Sequence, residues 1–223
     1  MNNQQNPNIL FFMVDQLSAC WFEQGLNGIC DMPNFKKLMG MGTYFNHAIS
    51  SNPVCCPTRA TIATGLPTRG HGLLENGYQL NPELPTFMQA LQRDNYLTGA
   101  LGKAHFKPHF ENMYPDYKPY GFDVTHITED CRGGEWHDWV RKEHPEHYEN
   151  VLATIWPSHI PEFAKYGDYQ EDLRSQIQDI RENYKWATNQ FPSNTDWEYV
   201  LPFPEEVSQT NWITGHGIDF IRN

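Results

Sequence analysis

Val54-Cys55-Cys56-Pro57-Thr58-Arg59 is where residue types and spacing first suggest chemistry. Cys56-Pro57 suits a helix opening, Thr58 to Thr64 continues it, and Gly65 supplies a left-handed stop. A cysteine at such a start meets the positive end of the helix dipole. Backbone N–H groups without helical partners can hold an anion there. Arg59, about one turn along, adds a permanent charge with paired donors for an oxyanion. The segment therefore suits an activated group facing a sulfate or phosphate. A buried structural cysteine ahead of a proline-started helix is the competing reading. Further along, Gly102-Lys103-Ala104-His105 closes an apolar segment. In extended backbone, residues two apart project to one side, so Lys103 and His105 are expected to act together.

These groups need elements to hold them. Ile9 to Val14 is a continuous apolar run ending in Asp15-Gln16, as expected of a buried parallel strand with polar residues at its tip. Pro33 to Met41 reads as a helix, Thr43 to Ile49 as a short strand, Thr86 to Asp94 as a helix and Tyr96 to Leu101 as a strand. Strand and helix in alternation give an α/β fold, a mostly parallel sheet flanked by helices with its site at the strand tips. From Phe106 to about Pro161 no periodicity is legible, and a loop, lid or insertion is expected. Leu173, Ile177, Ile180 and Tyr184 then recur at helical spacing, and a last helix is expected from Pro204 to Ile221. The organisation expected is a motif-bearing core over 6–110, an irregular region over 106–161 and helical segments over 162–223.

Composition narrows the function. With 27 Asp and Glu against 16 Lys and Arg, the net charge of −11 disfavours a nucleic-acid binder, which needs a basic face. A mean hydropathy of −0.66 and the lack of a long apolar run argue against a membrane span. The N-terminus carries no basic start and long apolar stretch, so a cytoplasmic location is expected, or a periplasmic one if a leader has been removed. Five cysteines, two of them adjacent, are a poor disulfide framework.

Cys55-x-Pro57-Thr58-Arg59 followed by Thr64-Gly65 resembles the signature of the sulfatase family within the alkaline phosphatase superfamily. Three more stretches agree in order. Pro7-Asn8-Ile9-Leu10 through Asp15 resembles the family's first strand and metal-binding aspartate. Pro33-Asn34-Phe35 through Gly42-Thr43-Tyr44-Phe45 resembles its next helix and strand. Gly102-Lys103-Ala104-His105 resembles its G-K-x-H segment. The resemblance implies an alkaline-phosphatase-like sheet and a sulfuric ester hydrolase acting on a small-molecule sulfate ester. It also implies oxidation of Cys55 to formylglycine by a maturation enzyme. By the same resemblance a divalent cation, Ca²⁺ with Mg²⁺ or Mn²⁺ as alternatives, is held by Asp15, Gln16 and the modified Cys55. Oxygen ligands suit such a hard ion. Arg59 is then expected to orient the nucleophile, Lys103 to neutralise sulfate, and His105 to hydrogen-bond the nucleophile or ester.

Gln16 stands where many sulfatases carry a second aspartate and brings a carbonyl oxygen but no charge. Asp15-Gln16 and Glu75-Asn76-Gly77 resemble more closely the choline-sulfatase and phosphonate-monoester-hydrolase branches, which makes Asn76 a substrate-binding candidate. Hydrolysis of phosphonate monoesters or phosphodiesters, and a non-catalytic anion or partner binder, are the rival functions. The family's second metal pair is expected downstream, and no strand follows the last helix. The expectation is therefore the first part of a longer enzyme, with little activity alone and oligomeric state open. Weaker sets have ordinary readings. His109 is expected in a loop. His144 and His147 suit a solvated face, and Trp136, Trp139 and Trp156 suit packing more than a pocket. Zinc on Cys55-Cys56 with His47 or His71 matches no finger spacing.

Overall fold

The computed structural model describes residues 6–108, 112–155, 172–184 and 200–223. Its contacts divide at Ile49/Ser50 into two units. The first holds α1 (Ala19–Gln24), a π-type turn (Gly25–Ile29) and α2 (Pro33–Met41). Ser18 Oγ caps α1 by accepting the Trp21 N–H, and Pro33 opens α2 as expected. The Phe22 ring packs edge-on against Phe35 at 5.2 Å. Neither Ile9–Val14 nor Thr43–Ile49 forms a strand, and Phe12 is 75% exposed. A strand exists only where a neighbour takes up its backbone groups, and composition alone does not supply that neighbour.

In the second unit, α3 (Cys55–Thr64) ends at Gly65 with φ 69, and α4 (Thr68–His71) follows. Next come α5 (Phe87–Arg93) and β1 (Gly99–Gly102). Thr86 and Gln89 close a reciprocal capping box at the start of α5. The remaining elements are β2 (Val124–Ile127), α6 (Glu135–Glu143), α7 (Tyr148–Thr154), α8 (Leu173–Asn183) and α9 (Gln209–Arg222). Strands β1 and β2 pair in parallel, Gly99 against Val124 through Gly102 against Ile127, so both C-terminal tips lie at one edge. This is the α/β arrangement expected, with one expected strand realised and β2 added. β2, α6 and α7 all fall in the stretch read as irregular. The last helix starts later than expected, because Ser208 caps it and Pro204 leads only a short 3₁₀ turn.

Two apolar clusters support this unit. One joins Cys56, Ala60, Leu80, Phe106, Tyr117 and Tyr120 around β1. The other joins Trp136, Val140, Leu152, Leu173, Ile177 and Trp212 across the later helices. The expected stripe on α8 is realised, with Leu173 and Ile177 buried. Helix α9 lies close on β1. A Cβ at Gly102 would come within 3.1 Å of Ile213, and Gly102 has φ 97, so glycine fits both the contact and the turn. Among the described residues no helix is long and apolar enough to cross a membrane.

Candidate active site

The loop before α3 is bound to the helix that follows it. Asn52 Oδ1 accepts the Val54 N–H at 2.8 Å, the Thr58 hydroxyl donates to the Asn52 carbonyl, and Ser50 Oγ meets Thr58 Oγ1 at 2.8 Å. Cys55 thereby becomes the first residue of the helix, one position earlier than expected, and Pro57 sits within the first turn, where its missing N–H costs nothing. The Cys56 N–H donates to Asn76 Oδ1 at 3.0 Å. Asn76, twenty residues on, therefore caps the helix beside Cys55.

The adjacent cysteines have different environments. Cys55 is partly exposed, whereas Cys56 is fully buried. Burial foremost, then the nearby Glu129 and Cys55 charges, push the Cys56 thiol up to about 12, against the pull of a Gly77 backbone hydrogen bond and Lys103. Cys56 is thus held as a thiol in the core, and Cys55 is the partly exposed member of the pair.

Arg59, 8% exposed, donates from Nη1 to the Lys103 carbonyl at 2.5 Å. This ties the cysteine helix to the tip of β1. Lys103 Nζ donates to both Asp130 oxygens, at 2.7 and 2.9 Å. His105 does not continue the strand: its φ is 52, in the left-handed region, and its side chain is fully buried. The alternation argument that paired Lys103 with His105 therefore fails, because it requires extended backbone through 105. The backbone N–H of His105 donates to Glu129 Oε1 at 2.9 Å, and the Tyr117 hydroxyl donates to the same oxygen at 2.7 Å. Burial pushes the Glu129 carboxyl up. The His105 N–H, the Tyr117 hydroxyl and Lys103 oppose this in that order, and Asp130 adds to the rise.

One neighbourhood thus gathers Cys55, Arg59, Asn76, Lys103 and His105. Glu129 and Asp130 join it from beyond the tip of β2, and sequence reading missed both. No local pattern marks them; recognising β2 and applying the strand-tip rule would have found them. Asp15 and Gln16 lie in a turn of the first unit, with Gln16 at φ 58. A carboxylate and an amide carbonyl suit a hard cation in donor type. Among the described residues, however, no three His, Cys, Asp or Glu side chains gather into a metal shell.

Of the weaker sets, His71 and Trp136 are packing residues. His71 Nδ1 accepts the Leu73 N–H at 3.1 Å, which leaves the neutral ring's proton on Nε2, facing Thr61 Oγ1 at 3.1 Å. Both ring nitrogens are therefore engaged in hydrogen bonds. Trp136 is buried and donates to the Val207 carbonyl at 3.0 Å. His109 and Trp156 lie outside the described residues.

The sulfatase family model matches residues 7–183. The chain is 37% identical over 174 residues to a choline-sulfatase of Rhizobium meliloti (strain 1021), covering 75% of this chain and 32% of that protein. It is 25% identical over 219 residues to an arylsulfatase of Clostridium perfringens (strain 13 / Type A), covering 97% of this chain and 40% of that protein. Among solved structures it is similar to the phosphonate monoester hydrolase of Agrobacterium radiobacter. That match has 20% identity and a TM-score of 0.47, over 78% of this chain and 30% of the other. The chain therefore spans about a third to two fifths of the length of these curated relatives.

Proposed function

The chain belongs to the sulfatase family, and from that premise we propose that it serves the hydrolysis of a small-molecule sulfate ester, with Cys55 as the precursor of the nucleophile. The observation that carries this reading is the link between the start of α3 and the tip of β1. Asn76 caps the helix beside Cys55, and Arg59 of the same helix holds Lys103 by its carbonyl. An anionic ester placed there meets two cations and the positive end of a helix.

In this reading a maturation enzyme converts Cys55 to formylglycine. That group, hydrated, would supply one oxygen to attack sulfur as the S–O bond to the departing alcohol breaks, and a second oxygen whose return to the aldehyde would release sulfate. A divalent cation, Ca²⁺ with Mg²⁺ or Mn²⁺ as alternatives, would polarise the ester oxygens, and Asp15, Gln16 and the modified residue 55 are the groups of this chain that would hold it. The remaining work belongs to side chains of the second unit. Arg59 orients residue 55 and fixes the Lys103 backbone. Lys103 neutralises sulfate by exchanging part of its hold on Asp130 for ester oxygens. His105 donates a hydrogen bond to the nucleophile or ester oxygen, and Asn76 borders the substrate.

The test is a comparison of paired esters on the full-length enzyme. A sulfate ester should be turned over with a higher kcat/KM than a phosphonate monoester or phosphodiester of the same alcohol, and Cys55→Ala should abolish both. Preference for the phosphorus ester would move the function to the rival hydrolase class. Turnover surviving in Cys55→Ala would remove the nucleophile assignment.

A further inference from the structure

Glu129 lies beyond the tip of β2 and is 5% exposed, a costly place for a carboxyl group. Its Oε1 takes two hydrogen bonds, from the His105 N–H at 2.9 Å and the Tyr117 hydroxyl at 2.7 Å. Its Oε2 is buried and has no hydrogen-bond partner among the described residues. A carboxyl group half-satisfied in a core is poor design for stability alone, and such exceptions concentrate at functional sites.

The bond to His105 falls on a backbone that needs support. A histidine at φ 52 is in a conformation that persists only where its surroundings over-determine it. Glu129 supplies that constraint at His105 itself. One residue on, the Phe106 carbonyl accepts the Leu80 N–H at 2.8 Å. Tyr117, fully buried and packed edge-on against Phe106 at 5.9 Å, holds the carboxyl from the other side. Tyr117, Glu129 and His105 thus form a chain from the core to the site. The left-handed turn departs from the extended course a continued strand would take at His105.

We propose that Glu129 is a positioning residue for sulfate-ester hydrolysis, acting through His105: its carboxyl oxygen clamps the left-handed turn that aims the imidazole, and Tyr117 fixes the clamp. The proposal rests on the reading of His105 given under the proposed function.

The test uses the full-length enzyme with residue 55 converted, and rates are normalised to folded protein. Glu129→Ala should lower kcat about 100-fold, the scale of a small misplacement of a reacting group, with KM changed less than about threefold. Glu129→Gln keeps an oxygen that can accept both bonds, and should recover most of the loss. The double-mutant cycle with His105→Ala is decisive. Adding Glu129→Ala to His105→Ala should cost less than about twofold, because the residue acts through the one already removed.

Should Glu129→Ala fail to accumulate as folded protein, Tyr117→Phe takes its place. It should cost about 3- to 10-fold in kcat alone and less than twofold beside His105→Ala. Effects that multiply in either cycle, or variants as active per folded molecule as the parent, overturn the proposal. Absence of sulfate-ester turnover in the converted parent enzyme overturns the functional reading itself. The two failures are therefore distinct.

Discussion

Arg59 and Lys103 stand 44 residues apart in sequence and are joined by a hydrogen bond from the Arg59 guanidinium to the Lys103 carbonyl at 2.5 Å. Through it, the helix that starts at Cys55 is tied to the residue that follows the strand ending at Gly102. In the proposed site, an anion near residue 55 would be met by two cationic residues whose positions this contact ties together.

Replacing Arg59 should therefore damage both geometry and charge. Arg59→Lys keeps the charge but loses the planar fork, and we expect kcat/KM for a sulfate ester to fall about 100-fold or more. Thermal unfolding should also move down, because the guanidinium is nearly buried. A lysine variant with parental kinetics would show that charge alone suffices.

Asn76 separates capping from charge. Asn76→Ala removes the acceptor of the Cys56 N–H and should cost about 1 kcal/mol in urea unfolding. Asn76→Asp keeps the acceptor and should restore that stability, since a carboxylate suits a helix start. The same carboxylate should raise KM for an anionic ester about tenfold, by repulsion beside residue 55. An unchanged KM in the aspartate variant would place Asn76 away from the substrate.

The Lys103–Asp130 pair is mostly sheltered, with side chains 12% and 30% exposed. Asp130→Asn removes the charge that competes with an incoming anion. Inhibition by inorganic sulfate should strengthen, by about 3- to 10-fold. Weaker or unchanged inhibition would mean that Asp130 holds Lys103 in place for the anion and does not compete with it.

His137 gives a prediction for acid stability. It is buried with Nε2 against the Tyr148 hydroxyl at 3.1 Å. Burial foremost lowers its pKa from 6.5 to about 4, with Arg141 adding to the fall and a Gly134 hydrogen bond opposing it. A depressed folded-state value means that the unfolded chain takes up the proton first. The stabilising contribution is complete above pH 6.5 and is lost as pH falls through about 4. At full burial the loss is on the order of 3 kcal/mol. Glu129, raised by burial, acts in the opposite sense, so the comparison must be between variants. Urea unfolding at pH 7 and pH 4.5 should show a smaller acid loss for His137→Gln than for the parent. Equal losses would contradict the assignment.

What the sequence disclosed and what it withheld follow from the range of each signal. The α3 segment with Gly65, the helix read over Thr86 to Asp94 and the α8 stripe are local, and each is legible within a dozen residues. β2 is not. Val-Thr-His-Ile has no distinctive pattern and becomes a strand by pairing with β1. The same dependence explains Ile9–Val14, apolar enough for a strand yet not in a strand in the structure. Helix α6 begins after Gly134 with no side-chain cap, so it lacked a start signal, although the buried pair Trp136 and Val140 has helical spacing. Glu129 and Asp130 reach His105 and Lys103 across more than twenty positions, which a motif of fixed spacing does not reveal.

The central claim is that Cys55, and not its neighbour, is the residue whose chemistry the site serves. Peptide mass analysis across residues 54–59, after expression in a host able to form formylglycine, tests it most directly. Exchange of CH₂–SH for CHO should make the peptide about 18 Da lighter, with the change localised to residue 55 and Cys56 still alkylatable after denaturation. An unmodified Cys55, or conversion at Cys56, would contradict the account.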